Sequence, residues 1–525
     1  MPNVNIPQIK KVFVLMLENR SFDHMLGFAG LTGLDAVTGK QRAINGLTDK
    51  QVFNNDPRGQ QPHPVFASAD APYSLTEADL GYEFSDVLEQ LCGRGAMVDP
   101  STGSFPKINN SGFVSNYVQK QPATSSIPVM QAFGKGRLPI LESLAREFAV
   151  CDAWYSSLPG PTWPNRFFFH AASSSGMIES PASWSILKSN LFLGYTFQNG
   201  TVFDLLDTAR IPWCIYEGDE FPQAFAIRGM AKQWIFHDAF RDFSRFAAEV
   251  SKPDFKPQYI FIEPNYGRDI LPPQDFIGGN SQHPLDNVLS GEQLIRMVYE
   301  TIRNSPHWPY SLFLITYDEH GGFYDHDIPP ATAVPPGDVP TVPDQPAFDF
   351  RQYGVRVPSV IISPFTARNL IDSTPYDHTS FLRTLELLFD LPSLTNRDRQ
   401  AHSFLHLLRS ASSPRTVAPI PSAPSELSAP LEMVGRPIET IPEYPSIANF
   451  DNRGPVSLQP HHYDWLHVAF LREQAIQQYE QPGELSLDQS RRDLLEIRTI
   501  SDARRYMSKV RERVKGFKQR LHLLR

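Results

Sequence analysis

The sequence predicts an α/β protein built on a mostly parallel sheet with helices on both faces. Three observations carry this. Unbroken apolar runs recur at 12–17, 259–262 and 312–315, and such runs read as strands buried on both sides rather than half-exposed ones. Amphipathic stretches alternate with them, which is the order of a covered parallel sheet. Each run ends abruptly in carboxylates and amides: Glu18-Asn19, Glu263-Pro264-Asn265 and Asp318-Glu319. In open α/β sheets, ligands bind at the carboxyl ends of strands.

The elements follow in order. Residues 9–17 form the first strand. Residues 40–135 show little periodicity and much Pro, Gly, Asn and Ser. They read as an irregular insertion with short helices, one over 83–91. Leu138, Leu141, Leu144, Ala145 and Phe148 step by three and four, so 138–150 is expected helical. A helix over 201–210 precedes a strand at 211–216, and 259–262 is a further short strand. Leu294, Ile295, Met297, Val298 and Ile302 mark the buried face of a helix over 291–305. Strands at 311–316 and 355–362 follow, then a helix over 379–389. Residues 410–447, rich in Pro, Ser and Ala, read as a linker or surface-draped segment. The expected organisation is a catalytic domain over 1–408, a linker over 409–447 and a helical extension over 448–525.

Composition narrows the function. With 525 residues and 41% hydrophobic content the chain builds a large core. A net charge of −9 argues against nucleic acid as a partner. Cys92, Cys151 and Cys214 are odd in number and far apart, so buried thiols are expected rather than a disulfide framework or a Cys zinc site. No apolar run approaches the roughly 18 residues of a membrane span, and 12–17 is too short for a signal-peptide core. The compartment is left open between a cytoplasmic location and secretion by another route. Residues 491–525 carry twelve Lys/Arg and four Asp/Glu, net +8 against −9 for the whole, which leaves −17 on the rest. Within them Met507, Val510, Val514, Phe517, Leu521 and Leu524 form a heptad-like stripe. It suits a basic helix docked on its own acidic body, with self-association or contact with an anionic membrane surface as the alternatives.

Five constellations could carry chemistry. Glu18-Asn19-Arg20-Ser21-Phe22-Asp23-His24 offers two hard oxygen ligands, or a helix start capped by Ser21 or Asn19. Pro159-Gly160-Pro161-Thr162-Trp163-Pro164-Asn165-Arg166 reads as a rigid turn holding one hydroxyl, with a guanidinium suited to phosphate. Gln282-His283-Pro284 precedes a helix. Tyr376-Asp377-His378-Thr379-Ser380 opens one, where Asp377 or Thr379 could simply cap and His378 would be neutral. The fifth and densest stretch is Asp318-Glu319-His320-Gly321-Gly322-Phe323. Two adjacent carboxylates at a strand end are costly unless a cation lies between them. No Walker loop and no G-x-S-x-G elbow is present. Hard oxygens, one hydroxyl, an Arg and several His suit metal-assisted phosphoryl transfer better than acyl transfer. The oxygen-rich set favours Mg²⁺, Ca²⁺ or Mn²⁺, with Zn²⁺ also compatible.

Taken in order, Glu18-Asn-Arg-Ser-Phe-Asp23, Pro164-Asn-Arg166, Gln282-His-Pro284, Thr316-Tyr-Asp-Glu-His-Gly-Gly-Phe323 and Asp377-His-Thr-Ser380 resemble the phosphoesterase family over about residues 8–400. That family holds non-specific phospholipases C and a bacterial acid phosphatase. The resemblance implies an alkaline-phosphatase-like three-layer sandwich with a C-terminal helical extension added. It implies Glu18, Asn19, Asp318 and Glu319 as ligands of one or two divalent metal ions, and Thr162 as nucleophile and further ligand. It implies His283 at the leaving oxygen and Arg166, His320 and His378 in the substrate motifs. Tyr82 stands where relatives carry His, so it keeps a hydrogen-bond donor but no imidazolium. The expected function is phospholipase C-type hydrolysis through a phospho-threonine. An acid phosphatase acting on soluble monoesters is the runner-up. A catalytically weak binding protein that keeps the fold is the alternative outside enzymes. Trp163, Trp184 and Phe192 are candidate lipid contacts.

Overall fold

The computed structural model describes residues 9–75, 80–123, 127–180, 194–267, 278–338, 345–409, 414–415, 460–481, 493–494, 496–497 and 499–524. The expected linker, apart from its first residue and 414–415, lies outside them, as do Trp184 and Phe192. Twelve strands are described: β1 (Lys11–Leu17), β2 (Thr32–Asp35), β3 (Gln41–Ala43), β4 (Phe53–Asp56), β5 (His63–Phe66), β6 (Ala149–Cys151), β7 (Trp213–Glu217), β8 (Phe240–Asp242), β9 (Tyr259–Glu263), β10 (Ser311–Tyr317), β11 (Ser359–Ile362) and β12 (Leu370–Asp372). Ten join one sheet in the order β3-β2-β12-β6-β11-β10-β1-β9-β7-β8, and β4 and β5 form a separate hairpin. β1 sits at the middle, parallel to β10 and β9, with Leu17 opposite Tyr317 and Leu15 opposite Ile262. The chemistry-bearing residues that follow β1 and β10 therefore emerge side by side.

The sheet is mostly parallel, as expected, with two exceptions. β3 is antiparallel to β2, and β11 is antiparallel to both β10 and β6. β11 also begins later than the expected 355, after Pro358, which has no N–H for a ladder. Helices cover both faces. On one, Phe169 and Phe381 stack at 4.5 Å and reach Phe261 and Tyr259 at 5.8 and 5.9 Å. Phe13 pairs in register with Ile260, so its side chain points the other way and meets Phe246 at 6.4 Å. There the helix Phe246–Val250 lies beside Val288–Asn304, which packs on Pro139–Glu147. The result is the three-layer α/β sandwich expected from sequence.

Local chemistry explains the boundaries. The helix expected over 138–150 stops at Glu147, and after the cap residue Phe148 the chain enters the sheet as Ala149–Cys151, β6, a strand too short to show a pattern. Val202–Thr208 opens on a Thr201–Asp204 capping box. Val288–Asn304 starts three residues before the expected 291, capped by Asn287. The insertion holds helices Phe84–Cys92 and Phe113–Lys120 together with the β4–β5 hairpin. Cys151 and Cys214 are buried and Cys92 is half-buried, all as free thiols.

The tail stripe is buried. In the helix Ile500–Leu524, Met507, Val510, Val514, Phe517 and Leu521 are all covered. Phe517 packs on Trp234 of the body and on Tyr479 of the helix Pro460–Glu480. Lys518 pairs with Glu217 and Asp242, and Arg511 with Glu220. The basic helix is docked on its own acidic body. The apolar stripe is thus taken up by intramolecular packing, while Arg505 and Arg520 on the same helix stay exposed. Among the described residues no helix is long and apolar enough to cross a membrane.

One buried carboxyl ties two of these helices together. Glu292 accepts the Ile140 and Leu141 N–H groups at 2.7 and 3.1 Å, two of the donors that a helix start leaves unsatisfied. Burial pushes its pKa from 4.5 up to about 8, against the pull of those N–H groups. A carboxyl whose pKa rises on folding stabilises the fold while protonated, and that contribution is lost as pH rises through the folded value. Urea unfolding between pH 6 and 9 should show stability falling with pH, and Glu292→Gln should flatten the decline. An equal slope in both proteins contradicts the assignment.

Candidate active site

Glu18 and Asn19 follow β1 directly. Asn19 adopts φ 58°, a left-handed conformation that Asn tolerates. That turn aims its N–H at Asp318 Oδ1, 3.0 Å away. The Gly-Gly pair makes the approach possible. Gly321 has φ +64°, and a Cβ there would fall 2.0 Å from the Asn19 carbonyl oxygen. The two ligand-bearing turns interlock at this point, and no side chain larger than hydrogen fits.

Thr162 comes from a helix rather than an isolated turn. The helix Thr162–Ala171 starts at Thr162, with Pro161 as N-cap. Pro164 falls within the first turn, where its missing N–H is tolerated. The Asn165 amide holds the approach, donating to Gly160 O and Pro161 O at 2.9 and 3.1 Å while accepting from Leu158 N–H. The Thr162 hydroxyl donates to Asn19 Oδ1 at 3.4 Å. A helix N-terminus favours negative charge, such as a phosphoryl group.

Glu18, Asn19, Thr162, Tyr82 and His283 line one cleft, together with Trp163, Ser180, Gln223 and Trp465. With Trp163, six residues singled out from sequence therefore meet in space. Asp318 and Glu319 lie beneath, fully buried. Asp318 accepts from Asn19 N–H, from Glu319 N–H at 2.7 Å and from Arg166 Nε at 3.0 Å. Glu319 accepts the Gly321 N–H at 2.7 Å. Arg166 also stands 3.7 Å from Glu18. It is buried as a counterion behind the carboxylates and is not part of the cleft lining. Burial drives the Glu18 pKa well up, opposed by Arg166 and reinforced by Asp318.

Two buried carboxylates, Glu18 and Asp318, thus share the guanidinium of Arg166. Glu18 Oε2 has no hydrogen-bond partner among the described residues. Leaving such an atom buried and unpaired is unfavourable, and a divalent cation held by Glu18, Asn19, Asp318 and Glu319 would satisfy it. The donor set therefore fits a hard metal ion.

Another cluster, Asp23, Asp325 and His326, has one potential ligand atom from each residue within 4.8 Å of the others. Arg356 already neutralises it, 3.2 Å from Asp23 Oδ1 and 2.8 Å from Asp325 Oδ1. It is a buried ion network that supports the Ser21-capped helix Phe22–Leu26.

Two expected substrate contacts are placed elsewhere. His320 turns away from the cleft, and its Nε2 bonds Gln90 Oε1 at 2.8 Å. Burial lowers its pKa to about 3, so it is neutral. His378 opens the helix His378–Phe389, and its Nδ1 accepts from Trp154. Its Nε2 then donates to the Asp318 carbonyl at 2.6 Å. Burial lowers its pKa as well. His378 thus bonds the Asp318 turn and does not line the cleft. Three participants were not foreseen. Gln223 donates to Glu18 Oε1 at 2.7 Å. Tyr266 lies against Arg166, 5.7 Å from ring centre to guanidinium carbon. Trp465 comes from the C-terminal extension. Gln223 and Tyr266 stand just beyond the carboxyl ends of β7 and β9, and that position was their only sequence signal.

The Phosphoesterase family model matches residues 9–392. Non-specific phospholipase C3 of Arabidopsis thaliana is 35% identical over 78% of this chain and 75% of its own length. Phospholipase C B of Mycobacterium tuberculosis is 26% identical over 74% of each. Among solved structures, a protein in the alkaline phosphatase superfamily from Vibrio parahaemolyticus aligns over 51% of this chain and 64% of that one, at 16% identity and a TM-score of 0.31.

Proposed function

This chain belongs to the phosphoesterase family, and from that premise we propose that it is a phosphoric ester hydrolase of phospholipase C type with Thr162 as its nucleophile. The observation that carries the proposal is the Thr162 hydroxyl at a helix N-terminus, against Asn19 and in one cleft with Glu18 and His283. The relatives named as phospholipases C support the ester class.

Thr162 Oγ1, its proton already released to solvent, attacks phosphorus in line as the bond to the alcohol oxygen breaks, and His283 gives that oxygen a proton. Water then attacks the phospho-threonine, His283 takes up a proton, and Thr162 is restored. Glu18, Asn19, Asp318 and Glu319, with the Thr162 hydroxyl, would hold one or two divalent cations. Such an ion neutralises charge on phosphoryl oxygens and lowers the proton affinity of the hydroxyl. Arg166 keeps Glu18 and Asp318 oriented from behind. Tyr82 offers an O–H donor to the phosphoryl group, but it cannot act as an imidazolium. The helices of the extension share one hydrophobic core with the central sheet.

A phospholipid substrate places the working enzyme at a lipid surface. The free space in the cleft, about 20 Å³, is close to that of one water. Every phosphoester is larger than this, and small soluble monoesters, which require the least widening, are the second reading. Purified protein assayed on phosphatidylcholine vesicles and on p-nitrophenyl phosphate decides between the two. Activity should vanish on chelation and return with Mg²⁺, Mn²⁺, Ca²⁺ or Zn²⁺. Full activity after exhaustive chelation would remove the metal from the proposal.

A further inference from the structure

We propose that Trp465, on the C-terminal helix Pro460–Glu480, is a specificity-determining residue: it forms the wall of the catalytic cleft and limits the size of the group carried by phosphorus. This rests on the placement of the reaction at Thr162.

Trp465 lies outside the stretch of 9–392 that matches the family model, yet it lines the cleft with Thr162, Glu18 and His283. It is buried. Its ring meets Trp163, the residue after the nucleophile, edge-on at 6.4 Å, and Tyr266 at 4.8 Å. Tyr266 in turn lies against Arg166 and donates to Glu263 at 2.7 Å. The indole is thus braced between the nucleophile's helix and the residue backing the counterion.

The helix that carries it is firmly held. Arg472, fully buried, pairs with Glu217 at the end of β7. Its guanidinium lies 4.0 Å from the Phe225 ring and 4.1 Å from Trp234. Phe225 is two residues from Gln223, which bonds Glu18. The second helix closes over the first, with Tyr506 donating to Glu473 at 3.0 Å. A side chain fixed in this way acts as a rigid boundary. With about 20 Å³ free beside it, a substituent on phosphorus competes directly with the indole for space.

Full-length Trp465→Ala and Trp465→Phe test this, with kcat/KM measured on p-nitrophenyl phosphate and on the bulkier p-nitrophenyl phosphorylcholine. Both esters release the same phenol, so their ratio isolates the group retained on phosphorus. Trp465→Ala should move the ratio toward the diester by about tenfold, the scale of a steric change in an apolar pocket. Trp465→Phe keeps the contacts to Tyr266 and Trp163, serves if the alanine variant folds poorly, and should move the ratio the same way by about threefold. A purely structural role would lower both activities together and leave the ratio unchanged. An unchanged ratio in the folded variants, or one that moves toward the monoester, overturns the inference. If Thr162→Ala also retains activity, it is the placement of the reaction that has failed, and not the wall alone.

Discussion

Thr162→Ala should lower kcat on p-nitrophenyl phosphorylcholine by about 10³-fold or more, the scale seen when a nucleophile is removed and only binding and charge stabilisation remain. The hydroxyl is the group in the cleft poised at a helix N-terminus, and the Asn19 oxygen orients it. Alanine keeps the helix start, because Pro161 rather than Thr162 is the cap. Unfolding temperature should therefore change little while turnover collapses. Thr162→Ser should keep measurable activity, since the oxygen is retained. Substantial activity in the alanine variant would move the nucleophile elsewhere.

Arg356→Leu should destabilise the protein by about 3–5 kcal/mol, the usual consequence of leaving buried charges without their partner. Arg356 is fully buried. It bonds Asp325 Oδ1 at 2.9 Å, the Asp152 carbonyl at 2.7 Å and the Asn45 carbonyl at 3.0 Å. Its guanidinium also lies 4.7 Å from the Phe22 ring. Burial already pushes the Asp325 pKa up to about 7, with Arg356 pulling it down. Without the guanidinium, Asp325 faces Asp23 with only the His326 imidazole, 2.6 Å from Asp23, beside the pair, and protonation of Asp325 is favoured further. The loss should therefore be larger at pH 8 than at pH 5, where a protonated Asp325 relieves the repulsion. A loss under about 1 kcal/mol at pH 8 would mean the network is not the support described here.

The central strands were legible because burial on both faces leaves no alternation, so 12–17, 259–262 and 312–315 stood out as apolar runs. The ligand turns were legible for the same reason: charge follows each run at once. Chain direction within the sheet was not legible. β11 is as apolar as β10, and nothing in Ser-Val-Ile-Ile tells parallel from antiparallel. The helix at Thr162 was hidden by its own prolines, which read as a turn although they sit where a first helical turn accepts them. His320 shows the limit of motif adjacency. One residue beyond Glu319, the Gly321 turn swings the imidazole toward Gln90. Trp465 and Gln223 join the site through contacts spanning about 300 and 200 residues of chain, with no local pattern to mark them. The tail stripe revealed an amphipathic helix, but only the Lys518–Glu217 and Phe517–Trp234 contacts show what it covers.

The central claim, a phosphoryl group passing through Thr162, is tested most directly by acid-quenching the enzyme during turnover of p-nitrophenyl phosphorylcholine and mapping the modified peptide by mass spectrometry. The expected result is phosphorylcholine on the peptide containing Thr162, absent in Thr162→Ala. Modification of a different residue, such as His283, or no modified peptide while a burst of p-nitrophenol is released, would contradict it.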